Sequence, residues 1–253
     1  MNINYLPMTL KRFPLGYEPD MYVSHFLSPD KASYYQTIIG VMRWMVKLGR
    51  VDIAVEVSQL SSFLDIPSKG HMVLALHIMS YLIIKHNPCL VLDPSYSDIN
   101  LSEVKSDEKF TEAKPHNAPK PLSKKIVLRL FVDSDHAGDK TNRRSRTGYM
   151  IFTNMSMIDC HTKKQATAEE AVFGAEFVAT KKGIEALRGI RYKLRMMGVE
   201  ISGPTYIYGY NMSVIHNTSK PESVLKKFRY HLISLRKGSC RNEGMLDDTC
   251  PYP

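Results

Sequence analysis

Across the first 90 residues, apolar side chains recur every three to four positions in three stretches; after residue 125 the pattern changes to short continuous or alternating apolar runs. "DKASYYQTIIGVMRWMVKLGR" spaces Tyr35, Ile38, Ile39, Met42 and Met45 or Val46 along one face, the period of an amphipathic helix, with Gly49 as its stop. "VDIAVEVSQLSSFLDI" repeats the pattern with Ile53, Val57, Leu60 and Leu64 and ends before Pro67. "GHMVLALHIMSYLIIKH" puts Met72, Ala75, Leu76, Met79 and Leu82 on one face and stops at Pro88. His71 and His77 read as helix-surface or interface positions, because no carboxylate or cysteine stands at metal spacing beside them.

Residues 93–124 contain Pro94, Pro115, Pro119 and Pro121, few large apolar side chains and no sustained period, which predicts a linker. It divides a helical unit, 1–92, from a second unit, 125–253. There "KIVLRLFVD" (125–133), "TGYMIFT" (147–153) and "MIDCHT" (157–162) read as an antiparallel three-stranded meander, the last two joined by a tight "NMS" turn. A long helical stretch follows, with Thr167 as its expected N-cap, Glu169 and Glu170 in its first turn and Gly198 at its end. Gly174, Gly183 and Gly189 each weaken it by up to roughly 1 kcal/mol relative to alanine, so a bend or break is expected. The strand "TYIYG" and a helix from Asn211 complete an α/β order of three strands, a helix, a strand and a helix. Between those last two stands Tyr210, at the strand-to-helix hand-over that α/β proteins often reserve for a functional carboxylate.

Composition narrows the class. A hydrophobic content of 43% with 23% charged residues is that of a soluble globular chain. No run approaches the roughly 18 to 20 apolar residues that span a bilayer, and "MNINYLPMTLKRF" lacks a signal-peptide core, so the expectation is a cytoplasmic or nuclear protein with no membrane partner. Cys89, Cys160, Cys240 and Cys250 are scattered without CxxC spacing, which favours reduced thiols over a zinc site. Charge is unevenly placed: residues 1–120 carry 12 Lys and Arg against 12 Asp and Glu, and residues 121–253 carry 22 against 13, the whole of the net +9. Such a basic half reads either as a polyanion-binding surface, nucleic acid being the commonest partner, or as a soluble basic face.

Motifs in the second half are more specific. "FVDSDHAGDKTNRRSRTGYMIF", "KKQ" at 163–165 with "FGAEFVA" after it, and "SKPESVLKK" stand in order over roughly 100 residues. They resemble the carboxy-terminal part of copia-type retrotransposon polyproteins, the end of the reverse transcriptase followed by the ribonuclease H domain. "YYQTIIGVMRWMVKLGRVDIAVEVSQLSSFL", Pro67, His71 and "YL" at 81–82 are similar to the thumb-side segment of that reverse transcriptase. The polymerase "YVDD"-type site of the family lies upstream of residue 1. The resemblance implies a ribonuclease H-like mixed sheet with helices, preceded by a mostly helical reverse-transcriptase remnant.

It also implies a chemistry, the hydrolysis of RNA in RNA–DNA hybrids by two Mg2+ or Mn2+ ions held roughly 4 Å apart. Hard anionic oxygens must converge on such ions from separate elements. Carried over by motif, the first family carboxylate is Asp133 in "FVDSDHAG" and the second Glu176 in "GAEFVA". The third position, where relatives have "DNQS", is Tyr210 in "YNMS", and Asn211 offers only a neutral amide oxygen beside it. A phenol with a pKa of about 10 stays neutral near pH 7 and replaces neither the charge nor the shape of a carboxylate. The family's fourth carboxylate, in an "ADLLTK"-like terminal helix, has no counterpart in "GSCRNEGMLDDTCPYP", and Asp247 and Asp248 are not in that motif. The expectation is therefore a domain truncated at its carboxy terminus and inactive or nearly so. For nucleic-acid contacts the candidates are Arg143, Arg144, Arg146, Lys163, Lys164, Lys181 and Lys182, with Arg188, Arg191, Lys193 and Arg195 continuing along the long helix. Other parts of a retrotransposon polyprotein are a second expected partner. Two readings stand beside the degenerate enzyme: a non-catalytic nucleic-acid-binding module, and a pseudogene-like product with no selected role.

Overall fold

Pro29, in the first turn where a missing amide costs nothing, and Gly49 at φ 114° bound helix α1 (Pro29–Lys47). These belong to a computed structural model that describes residues 24–86, 90, 92–95, 117–139, 142–219 and 233–237. The buried face of α1 is Tyr35, Ile38, Ile39 and Met42, as the spacing predicts. The second stretch is shorter than expected: α2 (Ala54–Leu60) lies between single 3-10 turns at Val51–Ile53 and Ser61–Phe63. Its Val57 and Leu60 are buried, with Ile53 just before it.

α3 (Lys69–Ile84) buries Ala75 and Leu82 of the expected face, with the centre of that face shifted toward Leu74 and Ile78. Leu74, Ala75, Ile78 and Leu82 are buried, while Met72, Leu76 and Met79 pack at the margin of the cluster. The helix is apolar on its outer side too, at Val73 and Ile83, so spacing alone selects no face. His71 is buried, the interface alternative of the sequence reading and not the surface one. Its Nδ1 accepts from the Ser68 amide at 3.1 Å, its own amide donates to Ser68 Oγ at 3.4 Å, and its ring stacks on Phe63 at 4.0 Å. This is a capping box with imidazole in the usual place of a Glu or Gln.

The second buried cluster lies under a five-stranded mixed sheet in the order β3-β2-β1-β4-β5. β1 (Leu128–Asp135), β2 (Arg146–Thr153) and β3 (Ser156–Lys164) form the expected antiparallel meander, and Asn154 turns the last hairpin at φ 52°. β4 (Thr205–Gly209) pairs parallel with β1, and β5 (Ile233–Lys237) pairs parallel with β4. The pattern of apolar positions does not reveal β5, because "ISLRK" alternates only Ile233 and Leu235 within a basic stretch. α5 (Met212–Ser219) follows β4.

α4 (Val172–Met196) crosses β1 as one unbroken helix. The expected break at its glycines does not occur. At Gly183 the helix approaches the sheet so closely that an added Cβ would meet Val132 Cγ2 at 2.9 Å and Leu130 Cδ2 at 3.1 Å, so this glycine makes room for the contact. The helix also starts later than Thr167. That hydroxyl hydrogen-bonds the Glu169 carboxylate at 2.9 Å, and Glu169 folds against Gly174, where a Cβ would lie 2.7 Å from Oε2.

The described ends of the expected linker are held on the sheet unit. Ser156 Oγ donates to Asp93 O at 2.8 Å and Asn154 Nδ2 to Pro94 O at 3.1 Å. Farther along, Leu122 N donates to Gly198 O at 2.9 Å. Residues 96–116 of that stretch lie outside the described residues. The helical cluster meets the sheet at α2: Arg146 donates to Ser58 Oγ at 2.7 Å, and Ser58 Oγ donates to Thr162 O on β3 at 3.0 Å.

Candidate active site

The side chains of β1 alternate between the face under α4 and the open face. Leu128, Leu130 and Val132 are buried and Asp133 emerges exposed near the strand's end. Phe131 pairs with Tyr208 at the end of the parallel β1–β4 ladder; Asp133 stands two residues farther along β1, and Tyr210 is the first residue past the end of β4. Both thus lie toward the carboxyl ends of adjacent parallel strands. Glu176 reaches this region from the first turns of α4 and is only 6% exposed. Burial and the nearby Asp133 carboxylate push its pKa up to about 7, offset in part by Ser134.

Tyr210 is 69% exposed and points its bulk into solvent. Asn211 is committed elsewhere. Its Oδ1 accepts from the amides of Ser213 at 2.9 Å and Val214 at 3.2 Å, capping α5. Among the described residues, no group of three or more His, Cys, Asp or Glu side chains gathers as a metal-holding cluster. Asp247 and Asp248 lie outside the described residues.

The turn after Asp133 explains why its sequence is so particular. A Cβ on Gly138 would overlap the Asp135 carboxylate, Ala137 sits at φ 52°, and its amide donates to the fully buried Ser145 Oγ at 3.0 Å. Gln165, whose role spacing does not announce, joins three elements. Its Nε2 donates to Thr147 Oγ1 at 3.1 Å on β2 and to Ala175 O at 3.0 Å, one residue before Glu176. Its backbone amide donates to Ser145 O at 2.8 Å.

The basic candidates separate into two groups. Arg143, Arg144, Lys163 and Lys182 are exposed and Lys181 is half-buried; Lys182 is held to Glu185 at 3.0 Å. Arg146 is buried against Ser58, and Lys164 makes an ion pair with the buried Asp139. Farther along α4, the buried Arg191 donates to Thr205 Oγ1 at 2.9 Å and Gly203 O at 3.0 Å, which anchors the start of β4. Arg188 and Lys193 are exposed, whereas Arg195 turns toward Ile201 O at 3.5 Å. No unbroken run of outward cations follows α4. Among the described residues no helix is long and apolar enough to cross a membrane.

No family model matches the chain, and no solved structure matches it. Curated proteins do. The retrovirus-related Pol polyprotein from transposon RE1 of Arabidopsis thaliana is 23% identical over 187 residues, which is 74% of this chain and 11% of that protein. That from transposon TNT 1-94 of Nicotiana tabacum is 27% identical over 154 residues, 60% of this chain and 9% of that protein. That from transposon RE2 of Arabidopsis thaliana is 21% identical over 193 residues, 76% of this chain and 11% of that protein. The chain spans about a tenth of the length of these curated relatives. Over most of its own length it is therefore similar to the Pol polyproteins of copia-like transposons, in agreement with the motifs of its second half.

Proposed function

We propose that the chain is a ribonuclease H-like module of the copia-type Pol lineage in which metal-dependent cleavage of RNA in RNA–DNA hybrids is lost. The observation that carries this reading is Asp133 beside Glu176 at a sheet edge where β4 runs into Tyr210 and not a carboxylate. An antiparallel meander continued by two parallel strands, with α4 laid over β1, supports the ribonuclease H-like fold. Residues 1–92 are read as a reverse-transcriptase remnant, 93–124 as the linker and 125–253 as the ribonuclease H-like domain.

The donors do not fit a pair of Mg2+ or Mn2+ ions, which need several hard anionic oxygens. Asp133 and Glu176 are the two carboxylates of the motifs, the third position is a solvent-facing phenol, and Asn211 is engaged as a helix cap. The test is cleavage of an end-labelled RNA–DNA hybrid by the full chain with magnesium or manganese, beside Tyr210→Asp and Glu176→Gln. The expected result is no cleavage by the wild type. Wild-type cleavage that disappears in Glu176→Gln overturns the reading, and activity gained in Tyr210→Asp locates the defect at that residue.

A second reading, nucleic-acid binding without cleavage, is favoured by the +9 balance of residues 121–253 and by the exposed Arg143, Arg144 and Lys163. Binding of this kind weakens steeply with salt, and Arg143→Glu with Arg144→Glu lowers the slope by about 2 in log–log terms. Affinity indifferent to salt removes it.

A further inference from the structure

Between the helical cluster and the sheet lies a polar cleft of about 200 Å3 that belongs to neither apolar core. A cross-strand row runs along it: Asp135, Arg146 and Lys164 are register partners on β1, β2 and β3, abreast at one end of the sheet. Gln59 of α2 lines one side, next to the Ser58 that holds α2 to β3. Gly138 and Arg144, from the turn between β1 and β2, line another. The turn is fixed by its own bonds. Asp139, 5% exposed, accepts from the Asn142 amide at 3.3 Å and pairs with Lys164, while the Asp139 amide donates to Arg144 O at 3.1 Å and the Arg144 amide to Asn142 Oδ1 at 3.2 Å. The backbone of Arg144 is thereby set and its side chain stands exposed beside the cleft.

We propose that this cleft holds one phosphate of a nucleic-acid backbone, with Arg144 contacting it from the turn, Arg146 from the sheet and Gln59 from the helical unit. Charge selects that ligand. Lys164 and Asp139 cancel each other as an ion pair, and the three cations of the cleft exceed its two carboxylates by one, the charge that a phosphodiester carries with opposite sign. Guanidinium groups match phosphate oxygens in a planar, two-bonded grip, and a side-chain amide adds a neutral donor. The site rests on the nucleic-acid-binding reading above and extends it to the helical unit. Asp135 stands two residues beyond Asp133 on β1, about 7 Å along the strand, so a backbone held in the cleft passes the edge of the sheet where Asp133 emerges. Gln59 separates this site from a diffuse basic face, because it is uncharged and lies outside the sheet unit.

The experiment is fluorescence anisotropy of a labelled RNA–DNA hybrid with the full chain across a range of salt, beside Gln59→Glu, Arg144→Gln, the two combined, and Val73→Glu. The last makes the same change of charge on the outer side of α3, where Val73 is 63% exposed. Gln59→Glu sets a carboxylate against the phosphate and weakens binding at least about tenfold, whereas Val73→Glu changes it less than about twofold. Arg144→Gln lowers the log–log salt slope by about 1. The combined variant loses less than the product of the two single losses, because both act on one phosphate. Steep, salt-dependent binding that Gln59→Glu and Val73→Glu weaken equally overturns the site and leaves nucleic-acid binding by the basic face standing. Losses that simply multiply do the same. Arg144 is exposed and outside both cores, so an unchanged slope in Arg144→Gln overturns the site however Gln59→Glu folds. Binding that is absent or indifferent to salt removes the nucleic-acid reading itself, and the phosphate in the cleft with it.

Discussion

At the scale of single residues, Glu176 is a carboxyl group whose titration the fold moves toward neutral pH. Its folded-state pKa of about 7 lies above the ordinary value of 4.5, because burial and Asp133 both oppose the anion. Below pH 4.5 the carboxyl is neutral whether the chain is folded or not. As pH rises, the unfolded chain ionises first, so folding stability falls between about 4.5 and 7 and is level above that. The loss amounts to about 3 kcal/mol. Glu176→Gln, which keeps the shape and removes the titration, should lack the fall in urea stability that the wild type shows from pH 5 to pH 8 on account of Glu176, and should exceed the wild type at pH 8. An equal pH slope in both proteins would refute this. Asp133, Glu176 and Tyr210 are all legible in the sequence because each stands in a short motif at the end of a strand or the start of a helix. Gln165 is legible only as a letter of "KKQ". Its bonds to Thr147 and Ala175 join elements far apart in the chain, and no periodicity encodes such a bond.

At the scale of elements, the glycines of α4 show where propensity stops being informative. All three weaken an isolated helix alike, yet they meet different surroundings in the folded chain. Gly183 lies against Val132 and Leu130, and Gly189 has nothing within 4 Å of a would-be Cβ. Gly183→Ala should therefore cost about 1–3 kcal/mol, because the methyl group enters the packed face between helix and sheet. Gly189→Ala should stabilise by about 0.5–1 kcal/mol through helix propensity alone. Thermal melts of the two variants should move in opposite directions, and a shift of the same sign in both would show that packing against β1 is looser than the distances indicate. The same contrast explains the other departures from the sequence reading. Helix α1 is strongly two-sided in its buried positions and its face was legible, whereas α3 is apolar all round and its face was settled by packing. β5 is two apolar residues in a basic stretch, and its place comes from pairing with β4.

At the scale of the whole chain, two separate apolar clusters, one among α1–α3 and one between α4 and the sheet, are joined through a short polar relay. Arg146 is charged, 9% exposed, and spends a guanidinium N–H on Ser58, whose hydroxyl in turn reaches the Thr162 carbonyl of the edge strand β3. A hydrogen bond from a charged donor in a buried setting contributes about 1.5–3 kcal/mol, more than a neutral one, because the alternative is an ion held away from water. Arg146 also pairs with Asp135 in the β1–β2 ladder, so the relay ends two residues from Asp133. The helical unit thus bears on the strands that carry the candidate site. Removing the relay with Arg146→Met keeps an apolar stem of similar length but no donor. Both clusters should remain intact in this variant while their opening becomes less coupled. Amide hydrogen exchange distinguishes the two, since Ile39 and Ile78 report the helical cluster and Leu130 and Ile151 report the sheet. In the wild type the two sets should open with nearly equal free energies. In Arg146→Met the helical set should open more readily, by about 1–3 kcal/mol, with the sheet set moving less. Equal loss of protection in both sets would mean that Arg146 supports the sheet alone and that the clusters are coupled by some other contact.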